Sequence, residues 1–314
     1  MFPHAETPQA TVRTDDAALR PGVDAICARH RLEAEPIRRF PTGTLPVYAI
    51  GTRYVLKLFP PPDSEGASTE EQALTAVDGR LPIPTPQIHA SGEMDGWRYV
   101  LMTQLEGRLL SDAWPDMPAA DRDRFAAELG ETLAALHGID TSPLDRLRFD
   151  WPAFLQRQRE SAVDRQRRRG LAAHWLERIP EFLDAWMPAA EGPRALLHTE
   201  LMREHLLVAP RNKRWELTGL FDFEPAMVGA PEYDFASCGL FVSAGDPRLF
   251  GRTLRAYGRS DAIGDDAFAS RILAYTLLHR YSNLRWYLER TPPAPDPRTL
   301  ESLARRWFGA TLDE

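Results

Sequence analysis

The stretch Leu197-His-Thr-Glu-Leu-Met-Arg-Glu-His-Leu-Leu-Val208, with Gly219-Leu-Phe-Asp-Phe-Glu224 after it, decides how this chain of 314 residues is read. Two short apolar runs, Ala195-Leu-Leu-His198 and Leu206-Leu-Val208, flank a polar loop, and Leu217 to Phe223 reads as a third strand. Two acidic residues, Glu200 and Asp222, then stand at strand ends on either side of a hairpin.

Working outward, the chain upstream is rich in short β-forming runs. Pro36-Ile-Arg-Arg-Phe40, Val47-Tyr-Ala-Ile50 and Tyr54-Val-Leu-Lys-Leu-Phe59 are separated by Pro-Thr-Gly-Thr and Gly-Thr turns, the pattern of an antiparallel meander. Pro60, Pro61 and Pro62 end the last strand, and Ser68 to Val77 is predicted helical. Two more strands, Ile88 to Gly92 and Trp97 to Leu105, close this part, and Glu106-Gly107 is its connector. From Ala119 the period changes: Phe125, Leu129, Leu133 and Leu136 form an apolar helical stripe. Phe154 to Met187 is a second helical region, and Pro231 to Leu312 is mostly helical. The Arg-rich run from Arg157 to Arg169 reads as a solvated helix face. The predicted architecture is α+β and two-lobed. Residues 1–105 make a small β-rich lobe, with about the first 15 residues poorly ordered, and residues 106–314 make a larger helical lobe.

Composition narrows the function. With 43% hydrophobic residues the chain can bury a sizeable core, and its formal net charge of −7 is the wrong sign for a nucleic-acid backbone binder. Cys27 and Cys238 stand far apart with no metal-finger spacing, which argues against a disulfide framework and for a reduced, cytoplasmic compartment. The N-terminus lacks a signal-peptide pattern, and no apolar run approaches the ~20 residues of a membrane helix. A carboxylate pair on a strand-loop-strand frame suits phosphoryl transfer. One carboxylate orients and deprotonates an acceptor hydroxyl, and the other holds a metal ion on nucleotide phosphates.

The same residues carry a family resemblance. The segment resembles the catalytic and metal-binding loops of aminoglycoside phosphotransferases and their protein kinase-like relatives, which read His-Gly-Asp-x-x-x-x-Asn and then Ile-Asp-Phe/Trp. His198 matches the family His, Glu200 falls at the catalytic Asp, His205 at the metal-binding Asn and Asp222 at the second metal-binding acid. Gly229-Ala-Pro-Glu-Tyr-Asp-Phe-Ala236 is similar to Gly-Asp-Pro-x-Tyr-Asp-Leu-Ala, in which the Asp, here Asp234, braces the catalytic loop. Lys57 resembles the strand lysine that reaches the nucleotide phosphates, and Glu70, or its neighbour Glu71, the helix acid that pairs with it. Thr42-Gly43-Thr44 occupies the nucleotide-covering loop. Met102-Thr-Gln-Leu-Glu-Gly107 looks like the hinge, so Gln104 and Leu105 would present backbone to the base.

The resemblance implies a protein kinase-like fold and transfer of a phosphoryl group from ATP, or GTP, with Mg2+, to a hydroxyl of a small molecule. An antibiotic or aminoglycoside-like sugar is the acceptor expected first. A metabolite kinase of choline, homoserine or sugar type and a nucleotide-binding pseudokinase are the alternatives. Catalysis would fall to Glu200 with His198, and metal binding to Asp222 and His205. Two positions depart from the family. Glu200 is one methylene longer than Asp and could instead merely cap its loop. An imidazole at His205 is a poorer match to Mg2+ than an oxygen. His205 could ligate, be displaced, or impair metal binding, and Glu204 could supply an oxygen in its stead. Acceptor recognition is expected in Leu273 to Glu289, where a continuous helix would put His279, Asn283 and Trp286 on one face.

Overall fold

The protein is described from a computed structural model, which covers residues 2, 15–293 and 297–311. The expectation of a poorly ordered start therefore lies outside the described residues, except at Phe2, whose ring is buried and stacks on Trp97 at 5.3 Å.

A five-stranded antiparallel sheet, in the order β1-β2-β3-β5-β4, forms the first part. Its strands are β1 (Ile37–Arg39), β2 (Val47–Ile50), β3 (Tyr54–Phe59), β4 (Ile88–Met94) and β5 (Trp97–Thr103). The near-continuous apolar run of β3 follows from burial on both faces. Leu56 and Leu58 join Tyr99 and Leu101 of β5 in a cluster with Leu19, Val23, Ile26 and Cys27 of the helix Asp16–Arg29. Phe59, with Val100 and Met102, faces the opposite way into the main core, against Ala67, Ala73 and Leu74. Burying a leucine such as Leu56 contributes about 2 kcal/mol. Strand alternation puts Lys57 on the same face as Phe59, in register with Val47 of β2 and Val100 of β5.

The helix behind this face runs Ser64–Val77, four residues earlier than the sequence suggested. Pro61 and Pro62 supply the fixed φ of a short turn, Pro61–Asp63, that leads directly into it. A proline triplet thus ends one element and starts another.

Gly107 joins the two parts. Its φ is +133°, and a side chain there would meet the Val208 carbonyl at 2.9 Å, so only glycine fits. Beyond it stand two small sheets. One pairs β7 (Ala195–Leu197) with β10 (Met227–Gly229), and the other sets β6 (Arg108–Leu109), β8 (Leu206–Arg211) and β9 (Arg214–Leu220) side by side. Asn212 and Lys213, both at positive φ, make the tight turn between β8 and β9. Around them pack the helices Ala119–His137, Trp151–Arg168, Pro247–Tyr257 and Asp266–Leu278. The stripe Phe125, Leu129, Leu133, Leu136 is buried as its spacing predicted.

The Arg-rich helix is more than a solvated face. Arg165 donates to the Leu277 carbonyl at 2.9 Å and Arg169 to the Tyr281 carbonyl at 2.7 Å. Buried Gln166 bonds both the Ser282 hydroxyl and the Leu284 N–H, each at 2.8 Å. These contacts satisfy backbone where the expected Leu273 to Glu289 helix breaks. One helix ends at Leu278 and the next runs Leu284–Arg290, so His279, Asn283 and Trp286 do not share a helical face. Asn283 instead caps the second helix, accepting from the Trp286 N–H at 3.2 Å. Among the described residues no helix is long and apolar enough to cross a membrane.

Candidate phosphoryl-transfer site

Lys57 lies at the centre of the site. Its Nζ stands 2.7 Å from Glu70 Oε2 and 2.5 Å from Asp222 Oδ1, so one buried ammonium serves two carboxylates. Glu70 is therefore the helix acid of the pair, while Glu71 reaches out to Arg98 at 2.8 Å. Burial opposes the charge on Lys57, but Asp222 and Glu70 outweigh it and hold the amine well above its usual range. Burial likewise opposes the charge on Asp222, and Lys57 with His205 outweighs it, keeping this carboxyl well below its usual range. Glu70 moves the other way: burial raises it further than Lys57 lowers it, because the single cation is shared. Of the two acids, Asp222 is the one whose charged form the site favours most.

Asp222 follows β9, and the catalytic-loop candidates follow β7; the short strands deliver both to one cleft. Glu200 is half-buried, and desolvation lifts its carboxyl above the ordinary glutamate range, as do the charges of Asp222 and Glu224, against a lowering by His205. His205 donates from Nδ1 to the Glu200 backbone carbonyl at 2.7 Å, and its Nε2 stands 3.2 Å from Asp222 Oδ2. One donor atom each from Glu200, His205 and Asp222 falls within 4.8 Å of the others, a grouping able to hold a metal ion. Glu204, weighed as a substitute oxygen donor, is tied to Arg290. An all-oxygen set would suit Mg2+; this set contains a nitrogen, so the fit to Mg2+ is incomplete.

His198 does not enter the cleft with Glu200. It is fully buried, its Nε2–H donates to the Phe221 carbonyl at 3.0 Å, and its Nδ1 has no partner among the described residues. Burial, helped by His205, pushes this imidazole down to about 4 and keeps it neutral. The expected place beside Glu200 in catalysis is corrected to that of a fastener between the two loops.

Asp234 braces the loop as expected. Its carboxylate accepts the N–H of His198 at 3.0 Å and of Thr199 at 2.6 Å, and it meets His137 Nε2 at 3.1 Å. Three partners share in this brace: His137 and Ser237 escaped the sequence reading, and His279 was expected on the acceptor-binding face instead. His137 links Asp234 to the Tyr257 hydroxyl at 2.9 Å; Ser237 accepts the Leu201 N–H at 3.1 Å; His279 Nε2 meets the Thr199 carbonyl at 3.2 Å. Only tertiary packing brings them together, and no local spacing announces them. Glu224, also passed over, lies close enough to Lys57 and Asp222 for their charges to act on it. Its place two residues after Asp222 was a usable signal.

The remaining candidates lie where the meander puts them. Thr42, Gly43 and Thr44 form an exposed loop between β1 and β2. Gln104 follows β5 with its N–H on the Arg53 carbonyl at 2.8 Å, and Leu105 packs over Gly219.

A family model for the phosphotransferase enzyme family matches residues 36–270. No curated protein sequence matches the chain. Solved structures share its fold at low identity. The GDP complex of wild-type aminoglycoside 2'-phosphotransferase-IIIa is 18% identical, with a TM-score of 0.65 over 82% of this chain and 87% of that one. Macrolide 2'-phosphotransferase MphH from Brachybacterium faecium is 19% identical, with a TM-score of 0.58 over 93% and 99%. An aminoglycoside phosphotransferase-like protein from Ralstonia eutropha is 16% identical, with a TM-score of 0.63 over 91% and 94%. The family model covers most of the chain and the fold agrees with it: the chain belongs to the phosphotransferase enzyme family and has a protein kinase-like fold.

Proposed function

We propose that the protein transfers the γ-phosphoryl group of ATP or GTP to a hydroxyl of an antibiotic or a related glycosidic small molecule. The observation that carries this reading is the Lys57–Glu70–Asp222 ion cluster facing Glu200, four groups from four separate elements in one cleft.

The base of the nucleotide would lie against Gln104 and Leu105. Gln104 has spent its N–H on Arg53, while the Leu105 N–H has no protein partner among the described residues and is left for the base. Thr42-Gly43-Thr44 would cover the phosphates. Lys57, held by Glu70, would move its contact from Asp222 to a phosphate oxygen on binding. A divalent cation held by Asp222 and His205 would neutralise charge on the phosphates. Glu200, lifted above its ordinary range, is suited to accept the acceptor's hydroxyl proton. His198 and Asp234 position its loop from behind.

The acceptor would meet an aromatic wall. Of the large hydrophobic residues exposed among those described, Tyr281 (44%) and Trp286 (37%) stand on the segment packed against the Glu200 loop through His279. The charges of Glu224, Glu200 and Asp222 all act on the Tyr281 hydroxyl, which places it near the cleft. Phe241 lies 5.6 Å from Trp286. Glu204 and Glu289 beside the wall are neutralised by Arg290 and Arg285. Stacking on rings and paired acids favours an acceptor with an apolar face over a polyamine.

Isothermal titration of ATP and GTP, with and without a divalent cation, tests the nucleotide half of this proposal. Binding should tighten with the cation and lose that response in Asp222→Ala; cation-independent binding that the substitution leaves alone would contradict it.

A further inference from the structure

We infer that Asp222, His205 and Glu200 form a mixed nitrogen–oxygen cation site that selects a borderline first-row ion such as Mn2+ or Co2+ over Mg2+. The inference rests on the proposed function, of which it names the ion, and it starts from the orientation of one ring.

A carbonyl oxygen can only accept a hydrogen bond, so His205 Nδ1, 2.7 Å from the Glu200 carbonyl, carries a proton. In the neutral ring the lone pair is then on Nε2, and Nε2 faces Asp222 Oδ2 at 3.2 Å. A lone pair against a carboxylate oxygen repels unless a proton or a metal cation lies between them, and a divalent metal ion could take that place. The spacing suits one: two ligands at right angles, each about 2.1 Å from an ion, stand about 3 Å apart. Glu200 adds a carboxylate oxygen to the same grouping, in which one donor atom from each of the three residues lies within 4.8 Å of the others.

The Nδ1–H···O=C bond is the arrangement by which proteins fix the tautomer and aim of a metal-binding histidine. Here the acceptor is the backbone of Glu200 itself, so the ligand and the proposed base share one loop. His205 and Asp222 are both partly open to the cleft, with 15% and 28% of their side chains exposed, which leaves an entry path. Replacing an oxygen donor by imidazole penalises Mg2+, which demands oxygen ligands, and favours ions that bind nitrogen well.

The test uses the full chain saturated with a non-hydrolysable ATP analogue and titrated with MnCl2, with MgCl2 as competitor. Electron spin-echo spectra on protein carrying isotope-labelled histidine then report whether an imidazole nitrogen touches the ion. The expected result is histidine coupling to bound Mn2+, with Mg2+ competing only at an excess of about tenfold or more. In His205→Asn the coupling should vanish and the preference should shrink by about tenfold. Exposed His174→Asn should change neither. Should the variant misfold, the wild-type coupling still decides. Absence of Mn2+ binding, absence of histidine coupling, equal affinity for the two ions, or an unchanged preference in folded His205→Asn would each overturn the inference. Phosphoryl transfer supported equally by Mg2+ would leave the proposed function standing and remove only the ion selectivity. Histidine coupling without transfer by any ion would do the reverse.

Discussion

Asp234 accepts the backbone N–H of Thr199 at 2.6 Å, inside the protein and at the position where related loops carry glycine. Thr199 has a φ of +71°, a conformation that a β-branched residue adopts only when its surroundings impose it. Asp234 on its N–H, Pro225 on its hydroxyl at 3.1 Å and His279 on its carbonyl impose it here. Asp234→Asn would present an amide where two N–H donors and His137 converge. The loss expected is about 3 kcal/mol of stability by urea unfolding, with a fall in turnover from a loosened Glu200 loop. An unchanged unfolding midpoint would show that the loop holds itself.

The hydroxyl and the backbone strain of Thr199 can be separated. Thr199→Gly gives up one hydrogen bond but relieves roughly 1 kcal/mol of strain, so its stability should stay within about 1 kcal/mol of the parent. Thr199→Val loses the same hydrogen bond, with Arg280 still donating to the Pro225 carbonyl, but keeps the strain, and should be about 1 kcal/mol less stable than Thr199→Gly. Equal unfolding free energies for the two variants would show that φ at this position carries no strain.

Lys57 has two acidic partners without nucleotide, and only Glu70 is expected to keep it once phosphate arrives. Glu70→Gln should raise the nucleotide KM by about tenfold, equivalent to about 1.4 kcal/mol, with a smaller change in kcat. Steady-state kinetics with varied nucleotide decide this. A change in kcat alone would mean that Glu70 does not position the lysine for binding.

Two buried histidines couple folding to pH. Burial lowers His198 to about 4 and His279 to about 3, from 6.5 when unfolded. Between those values the unfolded chain binds protons that the native one refuses, so stability is complete above pH 6.5 and is lost as pH falls. His198 alone accounts for about 3 kcal/mol across that window. Thermal melts from pH 7 to pH 4 should show a steadily falling Tm, with a shallower slope in His198→Asn. A Tm that rises on acidification would contradict the neutral, buried assignment.

The fold was legible because its signals are local. The near-continuous apolar run Tyr54–Phe59, the stripe from Phe125 to Leu136 and the acid-bearing loops each announce themselves within a few residues. Lys57, Glu70, Asp222 and Asp234 could be placed because they belong to such segments. His198 was misread since a histidine beside an acid looks the same in sequence whether it faces the cleft or the core. The break at His279 to Asn283 was missed for a related reason: Arg165, Gln166 and Arg169, more than a hundred residues upstream, satisfy its backbone. No window around the break contains that information. His205 was recognised as a departure, yet only its orientation, with Nδ1 on the Glu200 carbonyl, says what the other nitrogen is for.

The central claim is that Glu200 activates a small-molecule hydroxyl for phosphoryl transfer, and acceptor-dependent ADP or GDP release measures it most directly. A panel of macrolides, aminoglycosides, nucleoside antibiotics and hydroxylated metabolites, run with Mg2+ and with Mn2+, should contain an acceptor that stimulates release in the parent enzyme. Glu200→Ala should lower that stimulated rate by about 100-fold or more, the range expected for losing a general base. Stimulated release that survives Glu200→Ala undiminished would contradict the account.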